Sequence, residues 1–408
     1  MTVPLRAKAR LRRAGGVWVR RLGLLPGGES DRLGEDDALA GTVLRERVMV
    51  YFPDVPTNVY QLAQWYAPLA ALAERHPLVV ITQDSRTTRL VRAETPFRVH
   101  CVARSATLDG LVERSDIALA LYVGHHGGNF MALRHPSIVH VYIGHGDSDK
   151  EISASNQVKA YDFTFVAGRA AVDRIKASVP LYDADTRAIE VGRPQIDGSP
   201  TVPPPAQPAR VLYAPTWEGA QPSVAYGSVA SHGAALVTSL LDAGFELTYR
   251  PHPRTGANDA TVRAADASLR ATVARHRSGA GRVDTATPLA DLFAAADVLI
   301  TDVSSLAMDW LPTSKPVVVT TPARAEVDPN GSPLLQVVPR LPAADAKRAA
   351  EVVRGVLADD AGYEERRRLV AYYLGDTTPG AALNRFISAC SDAIALRDRE
   401  VQRLGQRS

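Results

Sequence analysis

The sequence predicts an α/β protein built from two parallel-sheet domains. Short apolar and β-branched runs alternate with longer helical patterns, which is the order expected of βαβ units. One stretch rich in proline and glycine, residues 192–210, interrupts this alternation, which then restarts. A chain of 408 residues is long enough for two domains of ordinary size. We therefore expect two Rossmann-like domains joined by a linker and followed by C-terminal helices.

The predicted strands of the first domain are continuous apolar runs, as in parallel strands that are covered on both faces. They lie at 47–52, 77–82, 97–102, 117–123, 137–144 and 163–168. The second domain repeats the pattern with runs at 211–217, 245–253, 297–305 and 316–321. Helical patterns at 343–358 and 360–402 close the chain.

Five regions follow from these patterns. They are a basic arm and connector at 1–42, a first Rossmann-like domain at 43–191, the linker at 192–210, a second Rossmann-like domain at 211–375 and a C-terminal helix at 376–408. Two similar domains with a hinge suggest a two-lobed transferase whose site lies in a cleft between the lobes.

Composition excludes several function classes. The formal net charge is only +3, so no overall field favours nucleic acid as a partner. The two cysteines, Cys101 and Cys390, match no metal spacing and read as reduced thiols of a cytoplasmic protein. No apolar run reaches the roughly 20 residues of a membrane span, and no signal peptide is recognisable.

Positive charge is concentrated at the start of the chain. Residues 5–28 contain seven lysines and arginines and no acidic residue, interleaved with Trp18 and several aliphatic side chains. This pattern is typical of a segment that lies on an anionic membrane surface. A frayed basic arm, or a helix packed on a partner subunit, is the alternative. Gly15-Gly16 interrupts any continuous helix here.

Polar clusters follow the predicted strands at the edge where doubly wound sheets bind ligands. They are GHHGG at 124–128, GHGDSDK at 144–150, APTWEG at 214–219, RPHPRTG at 250–256 and TDVSS at 301–305. The last cluster runs from a strand into a helix, whose first turn has free N–H groups and a partial positive charge that suit a phosphate. Ordinary helix capping is the alternative for that junction.

Several of these motifs resemble one known family. The segments are GHGDSDK (144–150), YAPTWEG (213–219), YRPHP (249–253), DTATPLADLFAAADVLITDVSSLAMDW (284–310) and KPVVV (315–319). Together they resemble the CDP-glycerol glycerophosphotransferase family of teichoic-acid and capsule polymer synthesis, over roughly residues 130–375. The resemblance implies a GT-B-like fold in which the two Rossmann-like domains face a cleft. It also implies a CDP-activated polyol phosphate as donor and a place on the inner face of the cell membrane.

The chain departs from the family pattern in two places. The best known members have a Thr-Pro pair after the His-Gly and a lysine five residues after the histidine; here Asp147 and Ser148 replace that pair while Lys150 keeps its place. Pro251 also stands between Arg250 and His252. The first change lies in the lobe expected to hold the acceptor, so it bears on the acceptor more than on the reaction class.

Two histidines are the candidate catalytic residues. His145 lies between two glycines in a strand-end loop, and its ordinary pKa suits removal of a proton from the attacking hydroxyl. A structural histidine in a turn is the alternative. His252 fits the leaving-group side, where a donor stabilises the departing phosphate.

The candidate donor-binding residues are polar side chains of the second domain near strand ends. They are Arg250, Thr216, Ser304, Ser305, Asp284 and Asp309. Ser304 and Ser305 are expected to hold the diphosphate. Arg250 has a carboxylate bridge as its alternative, Asp284 a turn, and Asp309 the capping of local charge. Asp302, in the same turn as the serines, would repel a diphosphate, so we expect it to cap the helix.

The candidate acceptor-binding residues lie in the first domain and are Asp147, Lys150 and His126. Asp147 or Asp149 is also a candidate for orienting the ring of His145. A metal at His125 and His126 is not favoured, because adjacent side chains diverge and no carboxylate lies at ligand spacing. No cofactor is expected besides the CDP-activated substrate.

The sequence therefore favours an enzyme that moves glycerol phosphate, or another polyol phosphate, from a CDP-activated donor onto a polymer or lipid-linked acceptor with release of CMP. The alternatives are a nucleotide-sugar glycosyltransferase or epimerase that uses a UDP-sugar, and a non-catalytic membrane-associated scaffold of the same fold. The polyol, the acceptor, the choice between priming and polymerising, and the oligomeric state are not specified by these motifs.

The basic arm generates a first prediction. Deleting residues 1–25 should reduce sedimentation of the protein with anionic liposomes, because each basic residue near the lipid contributes about 1 kcal/mol. Zwitterionic liposomes provide the control, since they lack the charge that the arm would bind. Unchanged sedimentation of the truncated protein with anionic liposomes, including at high salt, would contradict a membrane role for the arm.

Overall fold

The computed structural model of the chain describes residues 31–146, 155–197, 206–219, 226–321 and 333–405. The basic arm at 1–30 lies outside these residues. The described parts of 1–145, 157–165 and 387–408 form one compact unit, and those of 146–156 and 166–386 form a second. Within the described residues, no helix is long and apolar enough to cross a membrane.

The first sheet has seven strands in the order β3-β2-β1-β4-β5-β6-β7. They are β1 Val48–Phe52, β2 Leu78–Thr82, β3 Arg98–Cys101, β4 Leu119–Tyr122, β5 Val139–Tyr142, β6 Phe163–Val166 and β7 Ala188–Glu190. The pairings from β3 to β6 are parallel. Every residue of β1, β2 and β4 is buried, as their uninterrupted apolar sequences predict for strands covered on both faces.

The second sheet has six strands in the order β10-β9-β8-β11-β12-β13, and all its pairings are parallel. They are β8 Arg210–Ala214, β9 Glu246–Tyr249, β10 Gly281–Val283, β11 Val298–Thr301, β12 Val317–Thr320 and β13 Arg340–Leu341. The first six strands of each sheet therefore follow the same doubly wound order. Its switch point lies between β1 and β4 in one sheet and between β8 and β11 in the other, and ligands bind beside such points.

The helices cover these sheets in chain order. They are α1 Glu35–Ala38, α2 Val59–Ala63, α3 Tyr66–Ala73, α4 Ser85–Glu94, α5 Ser105–Arg114, α6 Phe130–Leu133, α7 Arg169–Ser178, α8 Ala184–Arg187, α9 Gly233–Asp242, α10 Ala260–Arg275, α11 Leu289–Ala295, α12 Ser305–Trp310, α13 Leu334–Val337, α14 Ala349–Ala358, α15 Tyr363–Leu374 and α16 Ala381–Gly405. The expected α/β class with two parallel sheets and C-terminal helices is confirmed.

The predicted helix at 360–402 is interrupted in the structure. The helix α15 ends at Leu374, Gly375 adopts a positive φ of 67°, and α16 begins at Ala381. Glycine tolerates this left-handed backbone, and Pro379 and Gly380 lie in the same break. The segment GDTTPG at 375–380 contains the glycines and proline that signal a helix break, and the predicted helix at 360–402 did not take them into account.

The start of the predicted linker is packed. Asp197 accepts hydrogen bonds from the backbone N–H groups of Gly380 (2.8 Å) and Leu383 (2.7 Å), so it caps the N-terminus of α16. Residues 198–205 of the predicted linker lie outside the described part of the chain, and β8 begins at Arg210. The five regions predicted from the sequence stay a prediction.

A pair of glycines generates a second prediction, about stability. A Cβ at Gly168 would lie 2.7 Å from the backbone of Tyr373, whereas a Cβ at Gly355, on the exposed side of α14, meets nothing within 4 Å. Gly168→Ala should lower the free energy of unfolding by about 1–3 kcal/mol through overpacking. Gly355→Ala should raise it by about 0.5–1 kcal/mol, because alanine favours the helix. Chemical denaturation measures both, and equal effects of the two changes would contradict the close approach at Gly168.

Candidate functional site

His145 lies in a loop that begins at the carboxyl end of β5. The buried indole of Trp65 donates to the carbonyl of Gly144, and Gly144 has a positive φ of 61° that glycine tolerates. The Nδ1 atom of His145 lies 3.2 Å from the carbonyl oxygen of Val123. Because a carbonyl only accepts, Nδ1 carries the hydrogen. The lone pair of the neutral ring then lies on Nε2, the atom that would act as a base.

Aromatic rings surround this loop within the first unit. Tyr60 makes an edge-to-face contact with the ring of His145, with centroids 6.1 Å apart. The ring of His125 stacks on Tyr142 at 4.0 Å and 5°. Burial, and secondarily the charge of a protonated His145, lower the pKa of His125 to about 4. His125 is therefore a neutral neighbour of the candidate base at physiological pH.

For His125 the sequence left an acceptor contact or a simple loop structure open, although a sharper signal was present. Tyr122 pairs with Tyr142 in the parallel register of β4 and β5. His125 and His145 each follow these paired tyrosines by three residues, so both leave the sheet at the same edge. Strand pairing, which a single sequence does not reveal, was the missing information.

The predicted acceptor-binding residues are only partly described. His126 is exposed, and its Nδ1 accepts a hydrogen bond from the N–H of Gly128 at 3.0 Å. Its ring thus stabilises the turn, and an acceptor contact through it stays a prediction. Asp147, Asp149 and Lys150 lie outside the described residues.

In the second unit, a buried carboxylate joins three strand-end segments. Asp302 follows β11 and is 0% exposed. It accepts hydrogen bonds from the backbone N–H groups of Thr216 (2.7 Å) and Ser228 (3.2 Å) and from the hydroxyl of Thr320. Burial raises the pKa of Asp302, and these hydrogen bonds oppose the rise. The expected capping role of Asp302 is wrong, because the carboxylate turns into the sheet edge and fixes the buried Thr216 loop instead.

Ser304 and Ser305 begin the short helix α12. Ser304 is the N-cap residue, yet its side chain makes no capping hydrogen bond; its hydroxyl lies 3.4 Å from that of Thr301. Ser305 is partly exposed. A Cβ at Gly146, which belongs to the same unit, would lie 2.9 Å from the Ser305 hydroxyl oxygen. Only glycine fits at 146 unless Ser305 moves.

Arg250 and Asp284 form an ion pair between the ends of β9 and β10. An Nη1 atom of Arg250 donates to Oδ1 of Asp284. Asp284 also accepts from the hydroxyl (2.6 Å) and the N–H (3.1 Å) of Thr287. Burial alone would raise the pKa of Asp284, but the bonds from Thr287 and the charge of Arg250 hold it below its ordinary value. The two predicted donor-binding residues are thus brought together and bound to each other.

His252 lies in a loop that several contacts hold in place. Its Nδ1 accepts a hydrogen bond from the N–H of Arg254 at 3.1 Å, so the hydrogen of the neutral ring lies on Nε2. Its ring lies 6.2 Å from that of Trp217, at an interplanar angle of 23°. Glu218 accepts from the N–H groups of Gly256 (2.9 Å) and Asn258 (2.7 Å), which ties this loop to the one after β8. His252 therefore presents a donor at Nε2.

Asp309 has a different environment from the one expected. It is 2% exposed and forms a two-pronged ion pair with the buried Arg193, at 2.7 and 2.8 Å. The sequence reading gave Arg193 no role, because its partner is 116 positions away. These contacts make Asp309 a positioning residue for α12, and its binding of a donor hydroxyl stays a prediction.

Lys315, in the KPVVV segment, also has a structural role. Its amine donates to the carbonyl oxygens of Phe293 (2.8 Å), Ala294 (3.1 Å) and Ala296 (2.6 Å) at the C-terminus of α11. Burial lowers the pKa of this amine. Among the described residues, no three His, Cys, Asp or Glu side chains are grouped so that they could hold a metal ion.

The buried pair of Arg193 and Asp309 generates a third prediction. Asp309→Ala should lower the free energy of unfolding by about 3–5 kcal/mol, because it leaves the Arg193 charge buried without its partner. Replacing both residues with leucine should cost less than that single change. Denaturant titration measures the loss. An Asp309→Ala protein of unchanged stability with weakened donor binding would instead support a direct contact with the substrate.

Similar solved structures share the fold. The wall teichoic acid polymerase TagF is 14% identical, with a TM-score of 0.55 over 96% of this chain and 98% of that chain. A TagF variant described with CDPG is 11% identical, with a TM-score of 0.55 over 97% and 99% of the two chains. A complex of S. aureus MnaA with UDP is 12% identical, with a TM-score of 0.52 over 84% and 95%. At these identities the likeness shows the fold alone, and it is GT-B-like, as expected.

The sequence comparisons identify the family. No curated protein sequence matches the chain. The family model described as CDP-glycerol:poly(glycerophosphate) glycerophosphotransferase matches residues 143–371, which is more than half of the chain. This region contains His145, His252, the paired serines and the Arg250–Asp284 ion pair. The chain therefore belongs to the CDP-glycerol:poly(glycerophosphate) glycerophosphotransferase family and is an enzyme of this type.

Proposed function

We propose that this enzyme transfers glycerol phosphate, or another polyol phosphate, from a CDP-activated donor to a hydroxyl of a teichoic-acid-like or capsule polymer, or of a lipid-linked acceptor, and releases CMP. Family membership supports the reaction class. The observation that carries the proposal is the backbone contact of each imidazole: Nδ1 of His145 lies 3.2 Å from a carbonyl oxygen, and Nδ1 of His252 lies 3.1 Å from a backbone N–H group. One ring is prepared to take a proton and the other to donate a hydrogen bond.

In the proposed reaction, the rings of His145 and His252 act on opposite sides of one phosphorus atom. The acceptor oxygen forms a bond to the phosphorus that bears the polyol, and the bond from this phosphorus to the bridging oxygen breaks. Nε2 of His145 takes the hydroxyl proton as the acceptor attacks. Nε2–H of His252 donates to the phosphate oxygen on which charge develops as CMP leaves. The proposal requires both rings to reach the substrate at the same time.

The donor diphosphate is assigned to the second unit. The hydroxyls of Ser304 and Ser305 are its expected ligands, and the unused capping capacity of Ser304 supports this. Arg250 keeps further N–H donors besides the one that bonds Asp284, because a guanidinium has five. Thr216 lies in the loop after β8, which Asp302 fixes. In the sheet, β8 lies between β9, which Arg250 follows, and β11, which the paired serines follow.

The acceptor is assigned to the predicted first domain at 43–191, through His126, Asp147 and Lys150. TagF, which has a similar fold, is a wall teichoic acid polymerase, and this supports a polymer as the acceptor. A TagF variant has been solved with CDPG, and this supports CDP-glycerol as the donor. The basic arm would hold the enzyme on the inner face of the cell membrane, where a lipid-linked acceptor is available.

A fourth prediction tests the roles of the two histidines. His145→Ala should lower the rate of CMP release from CDP-glycerol in the presence of acceptor membranes by about 10²–10⁴, the usual contribution of a general base. His252→Ala should lower it as well, through loss of the donor to the leaving group. CMP release followed by chromatography measures both rates.

His276→Ala is the matched control, because that ring hydrogen-bonds Ser278 away from the strand-end loops and should leave the rate unchanged. Circular dichroism checks that each variant is folded. Activity that survives His145→Ala would remove the assigned base. A panel of CDP-glycerol, CDP-ribitol and UDP-sugars, in which only a UDP-sugar stabilised the protein or was consumed, would contradict the donor class.

A further inference from the structure

We propose that Arg254, which lies over the ring of Trp217, is a phosphate ligand for the donor, a role that neither the sequence motifs nor the family match assigns to it. This inference rests on the proposed function and adds a residue to its donor site. In the described part of this loop, Arg250 is paired with Asp284, which leaves Arg254 as the cation beside His252 that can bind a diphosphate.

The contacts of Arg254 favour an anionic ligand. Its guanidinium carbon lies 4.0 Å from the centroid of the Trp217 ring. Stacking on an aromatic face leaves the N–H groups in the plane of the guanidinium, directed outward. Within the described part of the chain, no carboxylate oxygen lies within 4.0 Å of these nitrogens, and the adjacent segment 220–225, AQPSVA, contains no acidic residue. Arg254 is also only partly buried, so a ligand can reach it.

Asp259, the nearest acid in sequence to Arg254, caps α10 by accepting the N–H groups of Thr261 and Val262. Both carboxylate oxygens of Glu218 accept backbone N–H groups, those of Gly256 and Asn258. Arg250 in the same loop is paired with Asp284. The positive charge of Arg254 is therefore the one in this loop that protein carboxylates of the described chain do not neutralise.

The loop that carries Arg254 is fixed on both sides. The Nε of Arg263 donates to the carbonyl of Gly256 at 2.9 Å, and a Cβ at Gly256 would lie 2.6 Å from the Cα of Arg263. The N–H of Arg254 itself binds His252. Trp217 is held between Thr216, which Asp302 anchors, and Glu218. A guanidinium placed in this way loses little conformational freedom when it binds a phosphate.

The position also fits the chemistry. The backbone bond from Arg254 to Nδ1 directs the His252 hydrogen to Nε2, so one short segment supplies a cation and a neutral donor. A diphosphate that accepts from Nε2–H of His252 meets Arg254 two residues along the same turn. Trp217 then serves as the platform for the arginine.

Isothermal titration of the full chain with CDP and with CDP-glycerol tests the proposal. Arg254→Ala should weaken binding of both about 10- to 100-fold, the range for loss of a charge-assisted hydrogen bond to phosphate. Arg254→Lys should lie between, since it keeps the charge but not the planar stack. Trp217→Leu should weaken binding too, and the double change should cost less than the sum of the single ones, because both act through one contact.

Arg277→Ala is the control, as it removes one positive charge from a side chain that is 86% exposed and should not alter binding. Thermal melting identifies unfolded variants, in which case Arg254→Lys and Arg254→Gln decide. Unchanged CDP binding in a folded Arg254 variant, or an equal loss in Arg277→Ala, would overturn the inference. Arg254-dependent binding of another nucleoside diphosphate, with no CMP release from CDP-glycerol, would support the inference and overturn the proposed function. A wild-type chain that binds no nucleoside diphosphate would overturn both.

Discussion

The buried carboxylate of Asp302 is the interaction on which the strand-end loops of the second unit depend. It satisfies the N–H groups of Thr216 and Ser228 and the hydroxyl of Thr320, and it lies at the switch point of the second sheet. All three of these residues are buried, and a buried donor that is left without a partner costs about 1–3 kcal/mol. Fixing Thr216 also fixes Trp217 and Glu218, and Glu218 in turn holds the loop of His252. The geometry of the candidate site thus extends outward from one fully buried side chain.

The same structure gives the two histidines opposite backbone contacts, which suit the two roles proposed for them. Each Nδ1 has a backbone partner, but the partner of His145 is a carbonyl and that of His252 is an N–H group. A carbonyl places the hydrogen on Nδ1 and an N–H group places it on Nε2, so the second nitrogen is a base in one ring and a donor in the other. No charged neighbour is needed for this distinction. The nearby His125 is kept neutral by burial and adds no charge of its own.

The sequence predicted those parts of the fold that depend on local pattern. Long apolar runs identified the central strands of both sheets, whereas β7, β10 and β13 were missed because they are short and partly polar. The strand-end loops identified His145, His252 and the paired serines, since glycine, histidine and serine cluster there. The partners of Asp302 and Asp309 were not predictable in this way, because each pair joins residues far apart in the chain. The expected placement of the two domains around a cleft stays a prediction.

The tautomers of the two rings are the most direct test of this account. Two-bond ¹H–¹⁵N correlation spectra of the protein labelled with ¹⁵N-histidine, assigned with the His145 and His252 variants, report which nitrogen of each neutral ring carries the hydrogen. The account predicts a hydrogen on Nδ1 in His145 and on Nε2 in His252. A hydrogen on Nε2 of His145 would contradict it, because that ring would then have no lone pair in position to accept the proton of the attacking hydroxyl.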